Sequence, residues 1–192
     1  MAGSPRSMDH PHPAPPPRSA DRTALLRRAR ALGVPADYGR ARGLPPVREP
    51  QRLSFIGHDV HGRPQWLAPR AAAALRRLLR ASAADRITID LVSAFRTIEY
   101  QLDILERKCA HGQSIDAILR VSAAPGYSEH HSGRAVDLTT AGYAPLEEVF
   151  EHSPAFAWLH RHAADFGFRM SYPRGNAHGI AYEPWHWCWH AR

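Results

Sequence analysis

Two stretches of this chain hold residue types that could do chemistry together. Residues 126–138 read GYSEHHSGRAVDL and residues 180–189 read IAYEPWHWCW. A catalytic zinc ion takes three protein ligands from His, Asp, Glu or Cys and keeps a fourth position open for water. The first stretch offers His130, His131 and Asp137, and the second offers Glu183 and His186. A centre built here wants one of the adjacent histidines facing inward, with the other turned elsewhere. A helical HExxH motif is excluded, because no histidine stands at the required place before Glu183 and Pro184 disfavours helix at and before it. On a strand, residues three apart point to opposite faces, so Glu183 and His186 converge only if the chain bends near Pro184. Ala135 and Asp137 share one face of a strand-like run, leaving Val136 and Leu138 toward the core. Other histidines have plainer readings: His10 and His12 sit in Pro-rich chain, and His152, His160 and His162 fall on or near a helix as solvated groups.

The elements that must position these residues follow from periodicity and punctuation. Residues 1–20 contain six prolines and almost no large apolar side chain, which predicts a disordered tail. A single domain over 21–192 follows, with an N-terminal helix and connection at 21–50 and a catalytic core at 51–192. From Asp21, the pattern DRTALLRRARALG predicts a helix stopped by Gly33 and Pro35. Apolar runs on both sides of His61-Gly62 predict a hairpin, and APRAAAALRRLLRASAA a helix by propensity. RITIDLVSAF alternates as a strand up to Arg96. A helix capped by Thr97 and stopped by Gly112 follows, then a short one from Ser114 to about Val121. PLEEVF predicts a short helix with Pro145 in its first turn, and SPAFAWLHRHAADFG a helix capped by Ser153 and closed by Gly167. FGFRMSYP and GIAYEPWHWCW read as two strands joined by the loop PRGNAH, with Trp185, Trp187 and Trp189 opposite His186 and Cys188. The class is α+β, a small central antiparallel sheet flanked by helices.

Composition narrows the classes of function. The chain has 192 residues, 44% of them hydrophobic, and a formal charge of +7 from 25 basic and 18 acidic residues. The basic residues are all arginine except Lys108, and no basic helix or aromatic-interleaved basic strip is present, so nucleic acid is not the expected partner. The positive charge favours an acidic substrate such as a cell-wall polymer. No run approaches the roughly 18 to 20 apolar residues of a membrane span. The N-terminus lacks the apolar stretch of a signal peptide, so the expected location of the sequence as written is the cytoplasm, with the cell envelope or periplasm as the alternative. Cys109 and Cys188 lack CxxC spacing and are expected to be free thiols.

The pattern S-x-H-x-x-G-x-A-x-D, here SEHHSGRAVD over Ser128 to Asp137, followed later by E-P-W-H-W, resembles the VanY type of D-alanyl-D-alanine carboxypeptidase. That family belongs with the zinc peptidases of the lysostaphin and hedgehog fold group. SAFRTIEYQ resembles the family's S-x-Y-R-S-x-x-x-Q segment, with Arg96 and Gln101 at the matching places, and FGFRMSYP is also similar. The resemblance implies one zinc ion held by His130, Asp137 and His186, Glu183 as the catalytic base, and Arg96 as the cation facing the oxyanion. It further implies substrate or supporting contacts from Ser128, Gln101, His131, Tyr182 and Trp185. The implied reaction is hydrolysis of the terminal D-Ala peptide bond of peptidoglycan stem peptides or their precursors, by a monomer. L,D-carboxypeptidase or D-Ala-D-Ala dipeptidase activity, or an inactive zinc-bearing wall-binding module, are the alternatives. Two positions depart from the pattern: Phe95 replaces a frequent tyrosine, and His131 replaces a frequent glutamine and adds a titratable group.

Overall fold

The structure, a computed structural model, describes residues 12–191. Of the segment expected to be disordered, residues 1–11 lie outside that range. Residues 12–20 depart from the expectation: the Ser19 backbone N–H and hydroxyl both donate to Glu49, at 2.8 and 2.6 Å, and the His12 ring stacks on Phe55. Glu49 in turn accepts the Ile98 N–H at 2.6 Å, so this extended stretch is tied to the start of a helix.

Helix α1 (Arg22–Ala31) is capped by the Asp21 carboxylate and buries Leu25 and Ala29. A single helical turn, α2 (Tyr38–Ala41), leads into an irregular connection. Strands β1 (Ser54–His58) and β2 (Pro64–Leu67) form the expected hairpin. Its turn is organised by Asp59, whose buried carboxylate accepts from the His61 and Arg63 N–H groups and from the Arg63 and Gln65 side chains. Helix α3 (Pro69–Ala84) starts on Pro69 and buries Ala71, Ala74, Leu75 and Leu78 along one face. Strand β3 (Asp90–Ser93) is shorter than the alternation of RITIDLVSAF predicts. Residues 87–89 run beside the sheet without strand geometry, although Ile89 and Leu91 do enter the core.

Helices α4 (Ile98–Ala110) and α5 (Ile115–Val121) are capped by the Thr97 and Ser114 hydroxyls, as their sequences require. Strand β4 (Ala135–Thr139) is buried throughout. PLEEVF does not form the predicted helix: Pro145 and Leu146 make a turn, with Leu146 at a φ of 62°, and a 3-10 segment occupies Glu148–His152. Helix α6 (Pro154–His162) has Ser153 as its cap, and a 3-10 turn ends on Gly167 at a φ of 87°. A Cβ on Gly167 would also meet the His190 carbonyl at 2.9 Å, so both backbone conformation and space demand glycine there.

Strands β5 (Phe168–Met170) and β6 (His186–Trp189) pair antiparallel, but residues 171–185 between them make a long excursion rather than a tight loop. The four-stranded sheet runs β3-β4-β6-β5, antiparallel at each pairing, and the β1-β2 hairpin is separate from it. This is the α+β arrangement of a small antiparallel sheet flanked by helices. One apolar cluster joins α3, α6 and the sheet through Leu75, Val136, Leu138, Trp158 and Trp187. A second joins α1, α4 and α5 through Leu25, Leu102, Leu105 and Ile118, and it includes Tyr172 and Ile180 from the excursion. No helix among the described residues is long and apolar enough to cross a membrane.

Candidate metal centre

Sheet register brings the two motif stretches together. Asp137 of β4 lies directly opposite His186 of β6, so their side chains share one face of the sheet. The Trp side chains alternate to the other face, where Trp187 is buried and Trp185 and Trp189 pack against the same cluster. The bend that Glu183 and His186 need is a turn: the His186 N–H donates to the Glu183 carbonyl at 3.1 Å, with Pro184 and Trp185 between them. Strand β6 therefore starts at His186, later than the alternating sequence suggests. The Glu183 N–H is held by the Tyr172 carbonyl at 3.0 Å.

His130 sits in a 3-10 turn, Glu129–Ser132, which ends on Gly133 in the left-handed region at a φ of 64°. A Cβ on Gly133 would meet the Ala68 backbone nitrogen at 2.9 Å, which is why the motif has glycine at this place. The His130 Nδ1–H donates to the Ala94 carbonyl at 2.6 Å, so the lone pair on Nε2 faces the centre. There it lies 3.2 Å from Asp137 Oδ2, while His186 Nδ1 lies 3.0 Å from Asp137 Oδ1. One donor atom from each of His130, Asp137 and His186 falls within 4.8 Å of the others, and all three residues are buried.

Two imidazoles and one carboxylate in this arrangement fit a zinc ion. Burial lowers the His130 pKa and keeps that ring neutral, as a ligand must be. Burial opposes charge on His186 too, but hydrogen bonds to Asp137 and Glu129 overcome it and push the pKa up to about 10. Those two carboxylates thus demand a positive charge at His186 Nδ1, and a divalent cation meets the same demand by displacing the proton. Glu183 Oε2 stands 3.8 Å from His186 Nδ1, close to the centre but outside hydrogen-bond range of that donor. Burial, aided by Asp137 and Glu129 and opposed by His186 and Arg96, pushes the Glu183 carboxyl up to about 7.

Arg96 is fixed just beyond β3. Its guanidinium donates to Gln101 Oε1 at 2.8 Å and Ser93 Oγ at 3.3 Å, and lies 3.7 Å from Asp137 Oδ2. The other end of the Gln101 amide donates to the Ala123 carbonyl at 2.9 Å. Both ends of this buried amide are engaged within the protein, so Gln101 orients Arg96. Ser128, Gln101, Tyr182 and Trp185 line a cavity of about 390 Å³, together with Arg96, Glu183 and the three donors.

His131 requires a correction, because it does not reach the cavity. The ring is completely buried, donates from Nδ1 to the Arg96 carbonyl at 2.7 Å and accepts the Gly126 N–H on Nε2 at 3.1 Å. Burial pushes its pKa down to about 3, so it stays neutral through the physiological range and does not add the expected titration. It clamps the backbone of Arg96 to the loop before the motif. His131→Phe would leave a buried carbonyl and a buried N–H unpaired, each costing about 1–3 kcal/mol. We expect a clearly lowered Tm for His131→Phe and a Tm close to wild type for His131→Gln, read by thermal unfolding.

Two residues with no role assigned from sequence also shape the centre. Glu129 Oε2 accepts the His186 Nε2–H at 2.8 Å and the Ser171 hydroxyl at 2.6 Å, which turns the other imidazole nitrogen toward Asp137. The contact with His186 lowers the Glu129 carboxyl to about 2 against the opposing effect of burial. The signal was its place beside His130, but nothing in the spacing tied it to His186. Glu129→Ala is expected to weaken zinc binding about 10–100-fold, measured by competition with a chromophoric chelator. The second is Tyr172, whose ring centroid lies 4.9 Å from that of His186 and which lines the cavity.

Comparison with known proteins agrees with this geometry. The family model for VanY, D-alanyl-D-alanine carboxypeptidase, matches residues 64–192. The chain belongs to the VanY family. A D-alanyl-D-alanine carboxypeptidase of Enterococcus faecalis is 32% identical over 129 residues, covering 62% of this chain and 46% of the relative. The chain thus spans about half the length of that VanY-family relative. The bifunctional D-Ala-D-Ala dipeptidase and D-Ala-D-Ala carboxypeptidase VanXYC of Enterococcus gallinarum is 30% identical, with 72% of this chain and 74% of the relative covered. Among solved structures, the LdcB LD-carboxypeptidase superposes with a TM-score of 0.67 at 25% identity, covering 76% of this chain and 71% of that one.

Proposed function

We propose that this VanY-family chain is a zinc carboxypeptidase that removes the terminal D-alanine of peptidoglycan stem peptides. The observation that carries this reading is the convergence of Glu183 on the His130–Asp137–His186 cluster, in a cavity that Arg96 also lines. When bound, zinc supplies a Lewis acid and lowers the pKa of water at its open position.

The residues of the chain do the rest. Glu183, buried beside the cluster with a proton affinity near neutral pH, takes a proton from the attacking water and returns it to the departing D-alanine amine. Arg96, already locked by Gln101 and Ser93, presents its charge to the developing oxyanion without having to reorganise. Tyr182 and Trp185 offer aromatic surface to the peptide. Lys108 and Glu147 line the same cavity, which suits a stem peptide carrying both carboxylate and ammonium groups.

The names of the relatives support both D,D- and L,D-cleavage. Incubation of the protein with a pentapeptide ending in D-Ala-D-Ala and, separately, with the tetrapeptide ending in a single D-Ala separates the two. Free D-alanine from the pentapeptide is the expected result. Release from the tetrapeptide alone would move the assignment to L,D-cleavage, and release from neither would defeat the proposal.

A further inference from the structure

Strand β6 places a second set of metal-binding groups along the face that carries His186. His186 and Cys188 are two apart and so point the same way, with Cys188 opposite the small residue Ala135 of β4. The Cys188 sulfur, an imidazole nitrogen of His190 and a carboxylate oxygen of Glu129 all lie within 4.8 Å of one another. Cys188 is buried, Glu129 half-buried and His190 exposed, so the group is rooted in the protein and open to solvent on one side. The backbone that carries His190 is anchored by its N–H to the Gly167 carbonyl at 2.8 Å.

The donors differ in kind from those of the first centre. Burial and the Glu129 carboxylate raise the Cys188 pKa, so the thiol becomes a thiolate only as an ion displaces its proton. Thiolate, imidazole and carboxylate together select a borderline-soft divalent ion such as zinc over calcium or magnesium, which prefer oxygen alone. Donor atoms already within 4.8 Å of one another stand near the spacing that one tetrahedral ion requires, and the exposed His190 ring is the member freest to adjust. Glu129 is common to both groups. Its Oε2 already holds the His186 Nε2–H and the Ser171 hydroxyl, and a carboxylate has acceptor capacity to spare on its other oxygen.

We propose that Glu129, Cys188 and His190 form a second cation site, for zinc or a similarly thiophilic divalent ion, and that its occupation weakens the hold of Glu129 on His186. Binding at this site is independent of the carboxypeptidase reading. Its effect on activity rests on that reading, and excess zinc is then inhibitory.

Stepwise addition of cobalt(II) to the metal-stripped full chain tests the site, with bound metal measured by equilibrium dialysis and thiolate-to-cobalt charge transfer followed in the near ultraviolet. Two ions per chain are expected, with the thiolate band growing with one of them. Cys188→Ala and His190→Ala should each lose the band and one ion while keeping the other. Asp137→Ala should lose the opposite ion and keep the band. A wild-type protein that binds one ion with no thiolate band would overturn the site. So would a band that survives Cys188→Ala, since it would then belong to Cys109. Retention of the thiolate ion with no second ion bound would count against the first centre and leave this one standing. If binding is found, excess zinc should slow D-alanine release in the wild type and have much less effect in His190→Ala. Equal inhibition of both would overturn the coupling.

Discussion

Glu183→Gln is expected to keep its metal and to release D-alanine about 10² to 10⁴ times more slowly than the wild type. Glutamine matches the carboxylate in size but cannot take a proton from water at neutral pH. The expectation that metal is retained comes from position: Glu183 Oε2 stands 3.8 Å from His186 Nδ1, whereas Asp137 lies within 3.0 and 3.2 Å of the two imidazoles. Glu183 is therefore beside the donor set and not part of it. The Glu183 backbone, pinned by the Tyr172 carbonyl and by the turn to His186, is unaffected by the change of side chain. Metal content by elemental analysis and kcat on the pentapeptide, measured on one preparation, check both halves. Full activity would place the base elsewhere, and loss of metal would make Glu183 a ligand.

Asp137→Ala is expected to abolish zinc binding at the His130–Asp137–His186 centre and, with it, D-alanine release. The Asp137 carboxylate bridges His130 and His186 and neutralises the half-buried Arg96 at 3.7 Å, so its removal leaves two imidazoles facing an unneutralised cation. A site with one ligand fewer and a nearby uncompensated positive charge has little affinity for a divalent ion. Zinc should stabilise the wild type against unfolding by about 2.7 kcal/mol when present at a hundred times its Kd. The thermal transition of Asp137→Ala should shift by clearly less at the same concentration, because the contribution of this centre is gone. An equal upward shift in both proteins would remove Asp137 from the donor set.

Much of this arrangement was legible in the sequence where local chemistry decides. The Thr97 and Ser153 caps, the helix start at Ser114 and the two-residue alternation of Ala135 and Asp137 each depend on near neighbours, and the structure has each of them. Pro184 told that the chain must bend, and the Glu183–His186 turn is that bend. What escaped depends on partners remote in sequence. His131 looked like a polar group at the edge of the site, and only the positions of Arg96 and Gly126 make it an internal clamp. Glu129 gained its role when the β4–β6 register brought His186 beside it. PLEEVF has helical propensity, but the turn at Pro145–Leu146 interrupts it and leaves a 3-10 segment behind. The long excursion over residues 171–185 looked like a hairpin loop with strand on both sides, because strand alternation in IAYEPWHWCW continues through residues that instead carry Tyr182 and Glu183 into the cavity.

The most direct test of the central claim is metal-dependent turnover of a defined substrate. The full chain is stripped of metal with a chelator, dialysed, and given pentapeptide ending in D-Ala-D-Ala while free D-alanine is followed with increasing zinc. Release should be absent from the stripped protein and return in proportion to zinc up to one equivalent at the His130–Asp137–His186 centre. Undiminished release from the stripped protein, or none after zinc is restored to a folded chain, would contradict the account.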